Sequence, residues 1–126
     1  MKEKYDVPIA PESEFVSYMM EQMSQFGLLC TEEQAKDFYM YYAHMIETNK
    51  YLNLTGITDM KEVVVKHMID SLSCYDSEII KSGMTIIDVG TGAGFPGIPL
   101  AIYDRSLKVT LFDSLKKRLT FLESVI

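Results

Sequence analysis

The chain has 126 residues, 48% of them hydrophobic and 24% charged, with a formal net charge of −6 at pH 7. This composition excludes a disordered chain, and the acidic charge excludes a protein that holds nucleic acid through a wholly basic surface. Because no stretch approaches the ~18–20 apolar residues of a membrane span, and Cys30 and Cys74 lack metal-ligand spacing, we expect a cytoplasmic protein with no membrane segment, no metal site and reduced cysteines.

Helical periodicity dominates the first part of the chain. After a loose arm over residues 1–11, apolar residues at helical spacing predict a first helix over residues 12–26. A Thr-Glu-Glu-Gln capping box opens a second helix over residues 31–48, and a third is predicted from residue 60 to about residue 75. We therefore expect a helical N-terminal cap over residues 12–78.

The rest of the chain alternates strand and helix. Strands are predicted over residues 84–89 and 107–112, followed by helices over residues 95–103 and 114–126. Two strands joined by a helix make a parallel βαβ unit. The fold class predicted from the sequence is α/β, with a helical cap followed by a βαβα unit that begins a second domain at residue 79.

The connection after the first strand is rich in glycine. In the run DVGTGAG, Asp88 precedes three glycines at alternate positions, which permit positive φ angles and close approach of a ligand to the backbone. Asp113 closes the next strand, where an acidic residue can accept hydrogen bonds from two ribose hydroxyls. This arrangement predicts a cofactor that contains adenosine, held by Asp88, Gly90, Gly92, Gly94 and Asp113.

Three interpretations of this turn remain open at the level of residue types. Gly92, Gly94 and Gly97 satisfy the GxGxxG pattern of NAD-dependent oxidoreductases. Against that, the carboxylate of Asp88 suits an amino-bearing ligand such as S-adenosylmethionine better than a pyrophosphate. The third interpretation is a tight turn without a ligand, in a fold that acts only as an interaction module. The methyl-donor interpretation is favoured.

Four blocks of the sequence, taken together, resemble the RsmG family (glucose-inhibited division protein B). These blocks are NLTGITD, KHMIDSL, IDVGTGAGFPGIPLAI and LFDSLKKRLTFL, over residues 53–59, 66–72, 87–102 and 111–122. The resemblance implies a class I Rossmann-like methyltransferase with an N-terminal helical extension. It would transfer a methyl group from S-adenosylmethionine to the N7 atom of a guanine in 16S ribosomal RNA of the small subunit.

The same resemblance suggests which residues line the site. Gly90 and Phe95 would contact the cofactor, with Gly92, Gly94 and Asp113 in the same cleft. Since the guanine nitrogen is already nucleophilic, methyl transfer needs alignment and exclusion of water more than a general base. No catalytic residue is therefore predicted.

Polar residues outside the turn have both a functional and a structural interpretation. His67 and Asp70 share a helix face and form either a hydrogen-bonded pair that joins the cap to the sheet or part of the site. Asn53 and Thr55 are turn residues that line the site by analogy. The remaining candidates are residues for RNA contact in a basic cluster, Lys116, Lys117 and Arg118. Tyrosines that could stack on bases are assigned to the core instead: Tyr39, Tyr41, Tyr42 and Tyr51.

The predicted sheet has fewer strands than a class I methyltransferase requires. From this we expect an N-terminal fragment whose activity on its own is doubtful and whose binding of S-adenosylmethionine is weak. A two-stranded parallel sheet also leaves an apolar edge. We expect self-association through that edge.

Overall fold

The computed structural model describes residues 7–75 and 80–125, and the side chain of Lys117 is not described. Two long helices come first, α1 over Glu12–Phe26 and α2 over Glu32–Asn49. A helical run follows, in three segments: α3 over Met60–Glu62, a π-helix over Val63–Ile69 and α4 over Asp70–Leu72. The remaining elements are β1 over Thr85–Val89, α5 over Gly97–Tyr103, β2 over Lys108–Phe112 and α6 over Lys116–Val125.

Local signals in the sequence set the ends of the long helices. Gly27 ends α1 in the left-handed conformation at φ 87°, and its N–H bonds to the carbonyl oxygens of Met23 and Ser24. At the start of α2, the Thr31 hydroxyl accepts the Gln34 amide while the Gln34 side chain accepts the Thr31 amide. The predicted bounds of both helices are confirmed to within one residue.

The helices pack around an apolar core that continues to the βαβ unit. Phe15 stacks on Tyr42, with ring centroids 5.0 Å apart. Ala10, in the segment predicted to be a loose arm, is tied to α2 because its N–H donates to Tyr42 and its carbonyl accepts from Tyr39. The largest fully buried side chains are Tyr42, Phe15, Phe38, Met19, Met23, Met45, Ile46, Met68, Leu72, Leu100, Val63 and Val64.

The two strands form a parallel sheet in which Thr85 pairs with Lys108 and Val89 with Phe112. One side of the sheet packs on the core through Ile86, Val109 and Leu111. The other side exposes Ile87, Val89 and Phe112, with relative exposures of 62%, 80% and 55%. We call these three residues the uncovered sheet face. Parallel sheets are normally covered on both sides, so this face is unusual.

Several sequence predictions need correction. Phe26 and Leu115 are apolar residues within the predicted helices over residues 12–26 and 114–126, and we expected them to be buried; both are exposed, because each lies at a helix end beyond the packed turns. Tyr51 was predicted in the core but is 80% exposed, since it follows the end of α2. The third helical run ends at Leu72 rather than near Tyr75. The predicted boundary between residues 78 and 79 lies outside the described residues.

The described residues lack two kinds of feature. Over residues 7–75 and 80–125, no helix combines the length and the apolar character needed to cross a bilayer. The same ranges contain no group of three or more His, Cys, Asp or Glu side chains that could hold a metal ion. Cys30 and Cys74 are both free thiols.

Candidate functional site

The glycine turn, residues 90–96, connects β1 to α5. Gly90 and Gly92 have φ angles of 71° and 61°. Gly94 has a φ of 110°, and a Cβ atom added there would lie 2.5 Å from the Ile98 side chain and 2.7 Å from the Tyr41 hydroxyl. Only glycine meets both the dihedral and the space requirement at this position. The sequence prediction of a backbone that needs glycine here is confirmed.

Most N–H groups of the turn are used inside the protein. The amides of Gly90 and Thr91 donate to the carbonyl oxygen of Phe112, at 2.8 and 3.0 Å. The amides of Gly94 and Phe95 donate to the carbonyl oxygen of Thr91, at 3.0 and 3.1 Å. The turn therefore offers few free donors to a ligand.

The carbonyl oxygens of the turn show a different pattern. Those of Gly90 and Gly92 accept no hydrogen bond from any residue in the described ranges. A ligand amino group or hydroxyl could donate to them, whereas a phosphate, which only accepts, could not. The backbone at the turn thus favours a ligand with donors.

Asp88 stabilises the glycine turn by accepting two hydrogen bonds. Its Oδ2 atom accepts hydrogen bonds from the Thr91 hydroxyl at 2.7 Å and from the Gly97 amide at 2.9 Å, and the residue is buried. The Gly97 amide is one of the donors that a GxGxxG turn would direct at a pyrophosphate, and here it is bonded within the protein. Pro96 and Pro99 have no N–H at all. The start of α5 is therefore a poor phosphate site.

Asp113 joins the end of β2 to the glycine turn. Its Oδ2 accepts the Gly92 amide at 2.8 Å and its Oδ1 accepts the Leu115 amide at 3.0 Å. The bonds from Leu115 and then Gly92 hold the pKa of this carboxyl below its usual range, with a smaller contribution from Arg118. The Oδ1 atom, with the Leu115 amide as its one donor, keeps a further lone pair with which to accept a hydroxyl.

The basic cluster is divided by the structure. Arg118 lies 3.5 Å from Asp113 and is drawn toward the turn, leaving the Asp113 side chain only 2% exposed. Lys116 is exposed to solvent, and the Lys117 side chain lies outside the described residues. Of the two described side chains in this cluster, Lys116 therefore faces solvent while Arg118 faces Asp113.

A hydrogen bond between the side chains of His67 and Asp70, which is one of the two interpretations of this helix face, is not formed. His67 instead bonds through Nε2 to the Thr55 hydroxyl at 2.9 Å, while Asp70 is exposed. Burial lowers the pKa of His67, and the charge of Asp70 opposes that effect. The imidazole also lies flat on Phe95, with ring centroids 4.2 Å apart and an interplanar angle of 8°. His67 and Thr55 are therefore brought to the glycine turn, while Asn53 and Asp70 are solvent-facing.

Sequence reasoning missed two residues of this region. Tyr41 donates its hydroxyl to the carbonyl oxygen of Ala93, and burial, followed by the charge of Asp88, raises its pKa so that it remains a donor. Asn49 is buried and bonds to the loop that carries Thr55. The signal for Asn49 was present, since a polar residue continues the apolar stripe of α2 four positions after Met45.

A groove of about 430 Å³ lies between α5, β2 and α6 and is mainly apolar. It contains Gly97 but none of the other glycines or acidic residues described above. We therefore assign the candidate site to the glycine turn and not to this groove.

Comparison with known proteins bears directly on this turn. The family described as rRNA small subunit methyltransferase G (GidB) matches residues 34–126. The chain belongs to this family. The matched region contains Asn49, Thr55, His67, the glycine turn and Asp113, so the contacts described here lie within the family's own domain.

Curated members of the GidB family share much of this sequence. The "Ribosomal RNA small subunit methyltransferase G" of Thermoanaerobacter sp. (strain X514) is 50% identical over 111 residues, covering 88% of this chain and 46% of the relative. Proteins with the same name from Alkaliphilus metalliredigens and Dictyoglomus thermophilum are 50% and 43% identical, over 80% and 91% of this chain and 42% and 48% of the relatives. The chain spans about half the length of the curated relatives it matches.

Proposed function

We propose that this chain carries the methyl-donor site of an S-adenosylmethionine-dependent methyltransferase that acts on the small-subunit ribosomal RNA. The observation that supports this most is the glycine turn, whose amides are largely bonded internally while the carbonyl oxygens of Gly90 and Gly92 accept nothing from the described residues. S-adenosylmethionine has an amino group and ribose hydroxyls as donors and contains no phosphate. A dinucleotide would need the donors that this turn has already used.

Several residues in and beside the glycine turn have a proposed part in holding the cofactor. The carbonyl oxygens of Gly90 and Gly92 accept its donors, and Gly94 keeps the backbone close to Tyr41. Asp113 accepts a ribose hydroxyl with the remaining lone pair of its Oδ1 atom, while Asp88 maintains the turn through Thr91 and Gly97. Phe95 contributes an apolar wall. When bound, the cofactor supplies an electrophilic methyl group on a sulfonium centre.

The proposed acceptor is the N7 atom of a guanine in 16S ribosomal RNA, as the resemblance implies and the relatives' names support for the small subunit. Because this nitrogen is nucleophilic without deprotonation, the protein has to align it and exclude water. Solvent-facing candidates for RNA contact are Asn53, Asp70, Lys116 and the exposed Tyr51, which can stack on a base. We place this activity in the cytoplasm, where ribosomal RNA is modified.

The proposed architecture follows from the same reasoning. Residues 12–78 form the helical cap, and residues 79–126 form the first βαβα part of a class I Rossmann-like methyltransferase domain. The parallel order of β1 and β2 and the glycine turn at the carboxyl end of β1 support this interpretation.

Two measurements test the proposed function. Thermal unfolding should shift upward with S-adenosylhomocysteine and stay unchanged with NAD, because ligand binding to the native state alone raises its stability. Stabilisation by NAD alone would favour the oxidoreductase alternative. Transfer of a labelled methyl group to small ribosomal subunits then separates an active enzyme from a fold that serves only as an interaction module.

We also infer that the chain self-associates, as expected from the exposed sheet edge, and we extend the expected contact to the uncovered sheet face, which a second copy of the chain covers. Val89 and Phe112 are paired in register, so their exposed side chains form a continuous apolar strip with Ile87. Burying such a strip is favourable at about 25 cal/mol per Å². Sedimentation should give a dimer that Val89→Asp dissociates. A wild-type chain that sediments as a monomer would contradict this inference.

A further inference from the structure

A chain of side-chain contacts connects the helical part of the protein to the glycine turn. It begins at Asn49, the last residue of α2, whose side chain is almost completely buried. The Oδ1 atom accepts the amides of Leu54 and Thr55 at 2.7 and 3.1 Å, and Nδ2 donates to the carbonyl oxygen of Thr55 at 3.0 Å. Three bonds from one side chain fix the backbone of Thr55 relative to α2.

Two further hydrogen bonds hold the side chain of Thr55. Its Oγ1 atom accepts the Ile57 amide at 3.1 Å, which leaves the hydroxyl proton available for the Nε2 atom of His67 at 2.9 Å. His67 lies in the π-helix, where the backbone N–H of Asp70 donates to the carbonyl oxygens of His67 and Val65. π-Helical segments are rare and often accompany functional sites, because they change the direction of side chains relative to an α-helix.

His67 passes this constraint to the turn through Phe95. The rings of His67 and Phe95 stack nearly parallel with their centroids 4.2 Å apart, and the Tyr41 ring packs on Phe95 at a tilt with centroids 5.5 Å apart. Tyr41 also holds the carbonyl oxygen of Ala93. The ring of Phe95 is therefore oriented by one residue from the π-helix and one from α2.

We propose that Asn49, Thr55 and His67 are positioning residues that orient Phe95 and, through it, the glycine turn for binding of the adenosine-containing cofactor. None of the three needs to touch the cofactor for this role. The proposal rests on the proposed function for its effect on cofactor affinity, but its structural content does not require a ligand. It gives the helical part of the chain a specific task at the site.

The first test needs no ligand and uses Thr55→Val, which removes the hydroxyl, beside Thr55→Ser, which keeps it. In NMR spectra of the full chain, Thr55→Val should change the chemical shifts of the Phe95 ring protons and the Gly94 amide. Thr55→Ser should restore the wild-type shifts, and the Gly27 amide at the end of α1 should be unchanged in both. Wild-type shifts for Phe95 and Gly94 in Thr55→Val would overturn the proposal.

The second test measures affinity for S-adenosylhomocysteine by calorimetry. Thr55→Val should bind about five- to tenfold more weakly, the effect of about one hydrogen bond, while Thr55→Ser should stay within about twofold of wild type. If Thr55→Val does not fold, His67→Phe takes its place, since it keeps an aromatic ring on Phe95 and loses only the bond to Thr55.

The outcomes separate the two claims. If S-adenosylhomocysteine binds the wild type and Thr55→Val with equal affinity, the positioning role is overturned and the proposed function stays intact. No binding to wild type would overturn the proposed function, while the ligand-free chemical shifts would still decide whether Thr55 and His67 orient Phe95.

Discussion

The carboxylate of Asp113 accepts the amide of Gly92 at 2.8 Å, which ties the end of β2 to the turn that follows β1. This bond places Asp113 and the glycine turn, which are separate features of the sequence, in one site. It also means that Asp113 shapes the turn before any ligand is present. A change at Asp113 should therefore affect both the turn and the cofactor.

Removing the Asp113 carboxylate is the first prediction. Asp113→Ala should weaken binding of S-adenosylhomocysteine by about tenfold or more, because it leaves the Gly92 and Leu115 amides without their acceptor and removes the ribose partner. Calorimetry measures the change. The matched control is Asp59→Ala, which removes the cap of α3 but lies outside the turn. Equal loss of affinity in both variants would contradict the assignment of Asp113 to the cofactor site.

Gly94 should tolerate no side chain. Gly94→Ala places a methyl group 2.5 Å from Ile98 and 2.7 Å from the Tyr41 hydroxyl at a φ that L residues avoid. We expect a loss of about 1–3 kcal/mol in the free energy of unfolding, measured with urea. Gly56→Ala is the control, since a Cβ at that position meets nothing within 4 Å. If both variants unfold at the same urea concentration, the close packing at Gly94 is refuted.

The Tyr41 hydroxyl should contribute to stability. Tyr41→Phe removes the donor to the Ala93 carbonyl oxygen inside the core and should cost about 1 kcal/mol of unfolding free energy. Tyr51→Phe removes the same hydroxyl from an exposed ring and should cost almost nothing. Comparing the two in chemical denaturation isolates the buried bond. A Tyr41→Phe protein as stable as wild type would show that the bond contributes nothing.

Stability should fall on mild acidification because of His67. Burial lowers the pKa of His67 in the folded state below the ordinary value of 6.5, so the unfolded chain takes up a proton first. The stability present above pH 6.5 is therefore lost as the pH falls through the folded-state pKa. Melting temperatures over this range measure the effect.

Replacement of the imidazole tests this pH dependence. His67→Gln should flatten the fall in melting temperature over the same pH range. A pH dependence that survives His67→Gln unchanged would assign the effect to other groups.

The sequence predicted those parts of the fold that depend on neighbouring residues. The capping box at Thr31, the end of α1 at Phe26 and the apolar stripes, in α1 as far as Met23, are local signals, and each is confirmed. The glycine turn is likewise a local pattern, because the φ angles at Gly90, Gly92 and Gly94 follow from residue type.

The sequence could not supply contacts between distant segments. The position of His67 and Asp70 on one helix face suggests a bonded pair as one of two interpretations, but the His67 side chain contacts Thr55 and Phe95 instead. Arg118 was grouped with the lysines beside it, whereas Asp113 draws it to the turn. In both cases the side chain contacts a residue outside its own helix rather than its neighbour on that helix, and only the folded chain identifies that residue.

The central claim is that the glycine turn binds the methyl donor. Titration of the isotope-labelled chain with S-adenosylhomocysteine, followed by NMR, tests it most directly, even where binding is weak. The account predicts progressive shifts of the Gly90, Gly92 and Phe95 amides with this ligand and none with NAD. Shifts at these amides with NAD, or no shift with S-adenosylhomocysteine, would contradict it.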